Sequence, residues 1–283
     1  MSIMIDGKHV AKVLREKIKE ETAELLEATG KVPSLTVIIV GENPASQSYV
    51  RSKKKFATEV GFVSDTIKLP ASITEIELLA QIKQLNDDRK INGILVQLPL
   101  PAHINEQTVI RTIAVEKDVD GFHPEQVGGL SIGLDTLEPC TPAGIIQLLN
   151  HYDIEVSGKN AVVIGRSNIV GKPIANMLLR CDATVTITHS RTANLADITR
   201  VADILIVAIG RPHFLTADMV KDGAVVIDVG INRTEDGKLV GDVDYEGVRQ
   251  KASYITPVPG GVGPMTIAML LANTLKAFKR QLL

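Results

Sequence analysis

The sequence predicts a two-domain α/β protein, in which an N-terminal three-layer αβα domain is followed by a Rossmann-like, doubly wound C-terminal domain. The chain has 283 residues, which is more than one domain of typical size and enough for two. In both halves, short apolar runs typical of buried parallel strands alternate with segments of helical periodicity. Hydrophobic residues make up 45% of the chain and charged residues 23%, which favours large buried cores and excludes a disordered protein.

The first half is predicted to contain a long helix and then a βαβαβ unit. Asp6 precedes an amphipathic segment that ends at Gly30, and Asn43 with the proline after it is typical of a helix start. Thr74 and Glu77 have the spacing of a capping box before a third helix. The predicted strands are residues 35–41, residues 62–69 and a run that begins at residue 93.

A segment with several glycines and prolines, residues 115–142, separates the two halves. It has no sustained period, which suggests a crossing between domains, and connections of this length are often functional. Beyond it, a helix from about Thr141 begins a second α/β succession, and Pro264 stands where a final helix would start. The predicted strands of this half are residues 161–164, 184–188, 204–208 and 225–229.

Charge and cysteine content exclude several classes of function. A net charge of −2 and a pI near 6.3 provide no overall basic field for nucleic acid or a membrane surface. Cys140 and Cys181 have no metal-ligand spacing, the histidines are scattered, and a reducing compartment fits best, so we expect no metal site and a cytoplasmic location. The N-terminus lacks the features of a secretory signal, and no apolar run reaches membrane-spanning length.

The segment NAVVIGRSNIVGKP predicts a nucleotide-binding turn. An apolar strand leads into Gly165, and a helix is expected to begin near Ile169, with Gly171 in its first turns. In such an arrangement, backbone N–H groups and a helix N-terminus face a pyrophosphate. The pattern is not the G-x-G-x-x-G fingerprint, and a tight βα turn without a ligand would use the same glycines.

The end of the next strand favours NADP over NAD. NAD-binding folds usually carry a carboxylate there for the ribose hydroxyls, whereas this chain has Ser190 and Arg191, with Arg166 in the first turn. These side chains can bind a 2′-phosphate, which a carboxylate would repel. The alternative is a solvated Ser-Arg turn.

A second group of candidate residues lies in the first half. Tyr49 and Lys53 are spaced i and i+4, so they share one helical face, where a phenol beside an amine suits acid–base chemistry. A lysine-rich stretch is more often a solvated face. Gln97 ends an apolar strand and Asp120 lies in the connecting segment, although either side chain could instead satisfy a turn. The glycine-rich loop from Thr256 fits close approach to a ligand or an awkward turn before the last helix.

Six motifs in order along the chain resemble the bifunctional methylenetetrahydrofolate dehydrogenase/methenyltetrahydrofolate cyclohydrolase family, of the short bacterial FolD type. The motifs are NPASQSYVRSKKK, GILVQLPLP, KDVDGFHP, GRSNIVGKP, VIDVGIN and ITPVPGGVGPMT. The resemblance implies NADP-dependent oxidation of 5,10-methylenetetrahydrofolate to 5,10-methenyltetrahydrofolate, and hydrolysis of this product to 10-formyltetrahydrofolate. It also implies a homodimer formed through the nucleotide-binding domains.

The resemblance further assigns residues and domains. Tyr49, Lys53, Gln97 and Asp120 would line the folate site together with Val96, Leu98, Pro259, Gly260, Gly261, Val262 and Gly263. Gly165, Arg166, Ser167, Ser190 and Ile231 match the NADP contacts, and Arg191 joins them on the charge argument above. Residues 1–120, completed by the C-terminal helix 265–283, would form the folate domain, residues 140–264 the NADP domain, and residues 121–139 the connection.

Two other functions remain open from the residues alone. One is a dehydrogenase for a different small substrate, such as a quinate- or amino-acid-type compound, which would leave Tyr49, Lys53 and the glycine-proline loop without an explanation. The other is a redox-sensing module that binds NADP(H) without turnover. Since Rossmann-like domains serve many functions, the site residues must decide between these.

Overall fold

The structure is a computed structural model that describes residues 2–282. Met1 and Leu283, the outer ends of the predicted domain ranges, lie outside the described residues. The strands within these residues are β1 (Ile3–Met4), β2 (Ser34–Val40), β3 (Val63–Leu69), β4 (Gly93–Val96), β5 (Asn160–Ile164), β6 (Thr184–Thr188), β7 (Ile204–Val207), β8 (Val225–Asp228), β9 (Asn232–Arg233), β10 (Leu239–Val240) and β11 (Tyr254–Ile255). The α-helices are α1 (Gly7–Thr29), α2 (Pro44–Glu59), α3 (Glu75–Asp87), α4 (Glu106–Thr112), α5 (Pro124–Ser131), α6 (Cys140–His151), α7 (Gly171–Arg180), α8 (Leu195–Thr199), α9 (Tyr245–Val248) and α10 (Val262–Leu282).

These elements form two compact units. The six-stranded unit comprises residues 2–12 and Thr141–Thr266, and the three-stranded unit comprises Val13–Cys140 and residues 267–282. None of the helices in the range 2–282 is long and apolar enough to cross a membrane.

The three-stranded unit has helices on both faces of a parallel sheet with the order β3-β2-β4. Alternate residues of β2 point to opposite faces, as the two-residue period of a strand requires. Leu35, Val37 and Ile39 pack in one core with residues of α1, α2 and α10. Ile38 and Val40 pack in a second core with residues of α3 and α4. This arrangement confirms the predicted three-layer αβα fold, and each fully buried aliphatic side chain stabilises it by about 1.5–3 kcal/mol.

The six-stranded unit contains a parallel sheet with the order β1-β11-β8-β7-β5-β6. After β5 the chain adds β6 on one side, and then β7, β8 and β11 on the other. The order therefore reverses between β5 and β7, which is the topological switch point of a doubly wound fold. The predicted Rossmann-like class is confirmed, and ligands of such sheets bind at the carboxyl ends of the strands that flank the switch point.

The helix starts predicted from local signals are confirmed. Asp6 Oδ1 accepts a hydrogen bond from the backbone N–H of His9 at 3.1 Å, and Asn43 Oδ1 accepts one from Ser46 at 3.1 Å. The capping box of Thr74 and Glu77 has both reciprocal bonds. The helix expected near Ile169 begins two residues later, at Gly171.

The segment without a sustained period is more ordered than expected, since it contains helix α5 and a 3₁₀ turn at Val115–Lys117. The eight residues of α5 are too few to show a helical period. The helix is stabilised instead by local and long-range polar contacts. His123 caps its start, and the buried Gln126 binds the carbonyl of Val115 at 2.7 Å and the N–H of Leu137 at 2.9 Å.

Candidate active site

Lys53 lies in the three-stranded unit with its amine withdrawn from solvent. The residue belongs to α2 and is only 8% exposed. Its Nζ donates a hydrogen bond to Oε1 of Gln97 at 3.0 Å. Gln97 directly follows β4; its backbone N–H binds Ile38 at 2.8 Å and its own Nε2 binds the carbonyl of Leu98 at 2.7 Å. The glutamine is therefore held from both sides, with its oxygen directed at the lysine.

The charge of this amine is set by competing influences. Burial lowers the pKa of Lys53, while the negative charge of Asp120 raises it. Burial raises the pKa of the Asp120 carboxyl, and the charge of Lys53 lowers it. Lys53 and Asp120 thus influence each other's charge, so the structure brings together three predicted residues, Lys53, Gln97 and Asp120.

Tyr49 is one helical turn before Lys53 on α2, as predicted, and is 37% exposed. Partial burial raises the pKa of its phenol, so the hydroxyl is protonated at neutral pH and is able to donate. Val96 is the last residue of β4, and its side chain is buried in the second core. Leu98 is half-buried beside Gln97.

The loop that carries Asp120 is held by three residues that the sequence analysis missed. The buried carboxylate of Asp118 accepts a hydrogen bond from the backbone N–H of His123 at 2.7 Å. Asn273 Nδ2 donates to the carbonyls of Val119 at 2.9 Å and Glu138 at 2.7 Å. Cys140 Sγ donates to the Val119 carbonyl at 3.3 Å. Burial raises the pKa of Asp118 to about 7; hydrogen bonds from backbone N–H groups oppose this rise, and the charge of Asp120 adds to it.

The glycine-rich loop before α10 is a tightly packed turn of the six-stranded unit. Gly260 has φ +113°, a conformation that favours glycine, and the N–H of Gly261 binds the Pro257 carbonyl at 2.9 Å. Val262 is buried, whereas Pro259 and Gly260 are more accessible. Ile231 Cδ1 would lie 3.5 Å from a Cβ placed on Gly263, so the structure brings two predicted binding residues together.

The predicted nucleotide turn follows β5 at the switch point. Gly165 has φ +125°, and a Cβ there would lie 2.3 Å from the Ala208 carbonyl oxygen. Ser167 Oγ accepts hydrogen bonds from the N–H groups of Val170 at 3.2 Å and Gly171 at 3.3 Å, which are the last residue before α7 and its first residue. This local bond orders the turn, and the side chain of Ser167 itself remains exposed.

The turn after β6 carries the residues expected at a 2′-phosphate. It is closed by two bonds, from His189 N to Thr192 Oγ1 at 2.9 Å and from Arg191 N to His189 Nδ1 at 3.1 Å. Ser190 and Arg191 extend into solvent from this turn, and Arg166 extends from the turn after the neighbouring strand β5. Between 2 and 282, no three His, Cys, Asp or Glu side chains group as a metal site would require.

Comparison with family models shows where this chain belongs. Residues 5–120 match the model described as tetrahydrofolate dehydrogenase/cyclohydrolase, catalytic domain, and residues 139–282 match the model of the NAD(P)-binding domain of the same family. The chain is a member of the tetrahydrofolate dehydrogenase/cyclohydrolase family. The predicted resemblance is thereby confirmed, and Lys53 falls in the first match and Gly165 in the second.

Relatives of known name agree with the family along the whole chain. A bifunctional protein FolD from Campylobacter hominis is 60% identical over 279 residues, which cover 99% of this chain and 98% of the relative. The crystal structure of the bifunctional enzyme FolD, methylenetetrahydrofolate dehydrogenase/cyclohydrolase, from Campylobacter jejuni has a TM-score of 0.97 at 53% identity and covers 99% of both chains. The Trypanosoma brucei dehydrogenase-cyclohydrolase, complexed with NADP cofactor and inhibitor, has a TM-score of 0.96 at 42% identity and covers 99% of this chain and 98% of its own.

In this tetrahydrofolate dehydrogenase/cyclohydrolase, the three residues missed by the sequence analysis differ in how strongly the sequence indicates them. Asp118 belongs to the DVDGF motif that carries Asp120, so the sequence indicated this segment but not the role of Asp118. Asn273 interrupts the apolar face of the last helix and is buried, which is the signal of a polar side chain with a structural partner. Cys140 offered no signal beyond its residue type.

Proposed function

We propose that this enzyme oxidises 5,10-methylenetetrahydrofolate with NADP⁺ to 5,10-methenyltetrahydrofolate and then hydrolyses that product to 10-formyltetrahydrofolate. The observation that carries the proposal is the buried Lys53 amine, bound to Gln97 at 3.0 Å with a lowered pKa. A lysine in this state is suited to proton transfer near neutral pH. Family membership supplies the substrate class, and the names of the relatives include both activities.

We propose the following division of labour along the chain. Residues 1–120 with the C-terminal helix 265–283 form the folate domain and residues 140–264 form the NADP domain, except that residues 2–12 lie in the six-stranded unit and belong with the NADP domain. Residues 121–139 connect the two and continue the loop in which Asp120 lies. Asp120 binds the pterin through paired hydrogen bonds, since a carboxylate matches an edge with two neighbouring N–H donors.

The residues after β5 and β6 suit NADP. Gly165 leaves no side chain over the turn, and the exposed Arg166, Ser190 and Arg191 place two positive charges and a hydroxyl on adjacent strand ends. A 2′-phosphate is favoured by such groups. When bound, NADP⁺ supplies the acceptor for the hydride that leaves the methylene carbon. That step needs no base from the chain, because the lone pairs of the two flanking folate nitrogens stabilise the cation, and the chain's task is positioning.

Hydrolysis requires proton transfer. Water forms a C–O bond at the methenyl carbon, the bond from that carbon to N5 breaks, and the formyl group remains on N10. One proton of the water ends on N5 and the other is released. Lys53 in its neutral form accepts a proton from the water at Nζ and can return it to N5. Gln97 holds the amine through the bond of 3.0 Å, and Tyr49, one turn away, tunes it.

The proposed function is tested by following NADPH and methenyl-folate absorbance together after adding 5,10-methylenetetrahydrofolate and NADP⁺. NADPH should accumulate while the methenyl signal stays low, because hydrolysis removes it. Methenyltetrahydrofolate added alone should be hydrolysed without cofactor. NADP⁺ binding without any turnover would support the redox-sensing module instead, and turnover only with another small substrate would support the rival dehydrogenase.

Changing Ser190 and Arg191 together to alanine should raise the NADP⁺ KM by about tenfold or more and leave the NAD⁺ KM nearly unchanged. The reason is that each hydrogen bond to a charged group contributes ~1.5–3 kcal/mol, and only NADP⁺ has the 2′-phosphate. Initial rates with both cofactors provide the measurement, with NAD⁺ as the internal control. An unaltered ratio of the two KM values would remove both residues from phosphate recognition.

We further propose a homodimer formed through the NADP domains, in a reducing cytoplasm. The strand β6 ends the six-stranded sheet and pairs on only one side within the described residues. Exposed apolar side chains lie on or near this edge, namely Leu179, Ile187 and Val201. An open edge with apolar neighbours is a surface that proteins usually cover. Cys140 and Cys181 are not joined by a disulfide in the part of the chain that the structure describes, which fits a reducing compartment. Sedimentation equilibrium would test the dimer.

A further inference from the structure

The cofactor residues proposed above lie around the switch point of the six-stranded sheet, next to the loop that follows β7. This β7 loop (residues 208–211) follows β7, the strand beside β5. It contacts the predicted nucleotide turn, because a Cβ on Gly165 would lie 2.3 Å from the Ala208 carbonyl oxygen and 3.5 Å from Ile209 Cγ2. Gly165 is therefore packed directly against the β7 loop, and a shift of this loop would change the space beside it.

A single buried carboxylate holds the β7 loop. Asp242 is 0% exposed, and its Oδ2 accepts hydrogen bonds from the backbone N–H groups of Ile209 at 2.7 Å and Gly210 at 2.9 Å. Its Oδ1 accepts from the N–H of Arg211 at 2.8 Å and from Nδ2 of Asn232 at 2.9 Å. Three successive backbone N–H groups around one carboxylate form a local anion-binding nest. The side chain thus fixes the β7 loop by its backbone.

The hydrogen bond from Asn232 Nδ2 to Asp242 also fixes the loop after β8. Asn232 is the first residue of β9 and directly follows Ile231, a predicted cofactor contact. Ile231 in turn lies beside Gly263. Asp242 is therefore connected, through contacts of this one unit, to both the turn at Gly165 and the loop after β8.

A second buried carboxylate holds the first in place. Asp228, at the end of β8, accepts hydrogen bonds from the N–H groups of Gly230 at 2.9 Å, Asp242 at 2.9 Å and Val243 at 3.0 Å. Glycine is required on both sides, since a Cβ at Gly230 would lie 2.3 Å from Asp242 Oδ1 and one at Gly241 would lie 1.8 Å from Asp228 Oδ2. Two adjacent carboxylates in a buried place are costly: burial raises the pKa of Asp228 to about 6, and the charge of Asp242 adds to the rise. Because the pair is costly for stability, its role is to hold the loops whose backbone N–H groups it binds.

We propose that Asp242 is a positioning residue for NADP: its carboxylate fixes the β7 loop and the loop after β8 in the conformation that the cofactor binds. The proposal rests on the proposed function, because it assumes that these loops receive NADP. Asp242 touches neither reacting atom. It acts through Ile209, Gly210 and Asn232, so its loss should weaken cofactor affinity rather than the hydrolytic step.

The test is the NADP⁺ dissociation constant, measured by titration calorimetry on the intact chain, for Asp242→Asn and for Asn232→Ala. In Asp242→Asn, an NH₂ group replaces one oxygen and meets backbone donors, so two of the four bonds are lost, and the dissociation constant should rise by about tenfold or more. Asn232→Ala removes one donor and should give a rise of about three- to tenfold. The matched control is Asp244→Asn, which makes the same change two residues away, keeps an oxygen that accepts from the Gly247 N–H at the cap of the short helix α9, and should bind NADP⁺ as the wild type does.

Methenyl-folate hydrolysis, which uses no cofactor, reports whether each variant is folded. A folded Asp242→Asn or Asn232→Ala variant with wild-type NADP⁺ affinity overturns the proposal. Should Asp242→Asn fail to fold, the Asn232→Ala result decides. If the wild-type chain binds no NADP⁺ at all, the proposed function fails, and this outcome is distinct from the failure of the positioning role.

Discussion

Replacing Lys53 with methionine is expected to slow methenyl-folate hydrolysis by about 10²- to 10⁴-fold, the usual contribution of a positioned acid–base group, and to slow oxidation by less than about tenfold. Hydrolysis needs a proton acceptor at the methenyl carbon, whereas hydride loss needs only correct positioning. Methionine has similar length and suits the buried, 8% exposed position, so packing is retained while the amine is removed. Both rates are measured on the same preparation, from the disappearance of methenyl-folate absorbance and from the appearance of NADPH.

The matched control is Lys54→Met, one residue further along α2, where the side chain is exposed. It also replaces a lysine amine, but one on the exposed side of the helix, and should leave both rates near wild type. A Lys53→Met protein that is folded but loses both activities equally would show that Lys53 only binds the substrate. The lowered pKa of Lys53 would then be a consequence of its burial and not a catalytic feature.

The main strands were predictable because buried parallel strands require continuous apolar residues. The run SLTVIIV forms β2 at the centre of the three-stranded sheet, where both faces are covered, and its last four residues, 37–40, are continuously apolar. The helix caps were predictable for a different reason. Asp6, Asn43 and Thr74 each bond a backbone N–H only three residues away, so the signal and the structure are both local.

The elements that escaped prediction depend on contacts distant in the chain. Strand β1 has two residues and pairs with β11, which is about 250 positions later. A strand this short shows no alternation of apolar and polar residues, so neither strand could be predicted from the local sequence. Helix α5 depends on Gln126 and its partners Val115 and Leu137. In both cases tertiary contacts, and not local preference, determine the structure.

The candidate site shows the same division. Residue type and strand position indicated Gln97, and in the structure its Oε1 accepts a hydrogen bond from Lys53 Nζ at 3.0 Å. Asp118 and Asp242 were missed because their partners are backbone N–H groups, which carry no sequence signal. A carboxylate that binds main chain can be recognised only once the loops around it are known. The site assignments drawn from the family pattern remain predictions until variants are measured.

Replacing Gly165 with alanine is expected to reduce NADP⁺ affinity by about 10- to 10²-fold, because a displaced turn loses hydrogen bonds to the charged cofactor, and to leave hydrolysis far less affected. A Cβ at this position would lie 2.3 Å from the Ala208 carbonyl oxygen. The backbone angle φ is +125°, a conformation that residues other than glycine rarely adopt. Either the nucleotide turn or the β7 loop must therefore move. Because the β7 loop is held by the buried Asp242, the nucleotide turn should shift.

Titration calorimetry with NADP⁺ measures this loss directly, and methenyl-folate hydrolysis shows whether the chain is folded. Gly158→Ala provides the control, since Gly158 also has positive φ, +72°, but a Cβ there meets nothing within 4 Å. It should cost about 1 kcal/mol of stability without changing NADP⁺ affinity. Equal affinity losses in both variants would mean that backbone strain, and not the contact with Ala208, is responsible. Wild-type affinity in Gly165→Ala would place the cofactor away from this turn, and the positioning role inferred for Asp242 would then lose its basis.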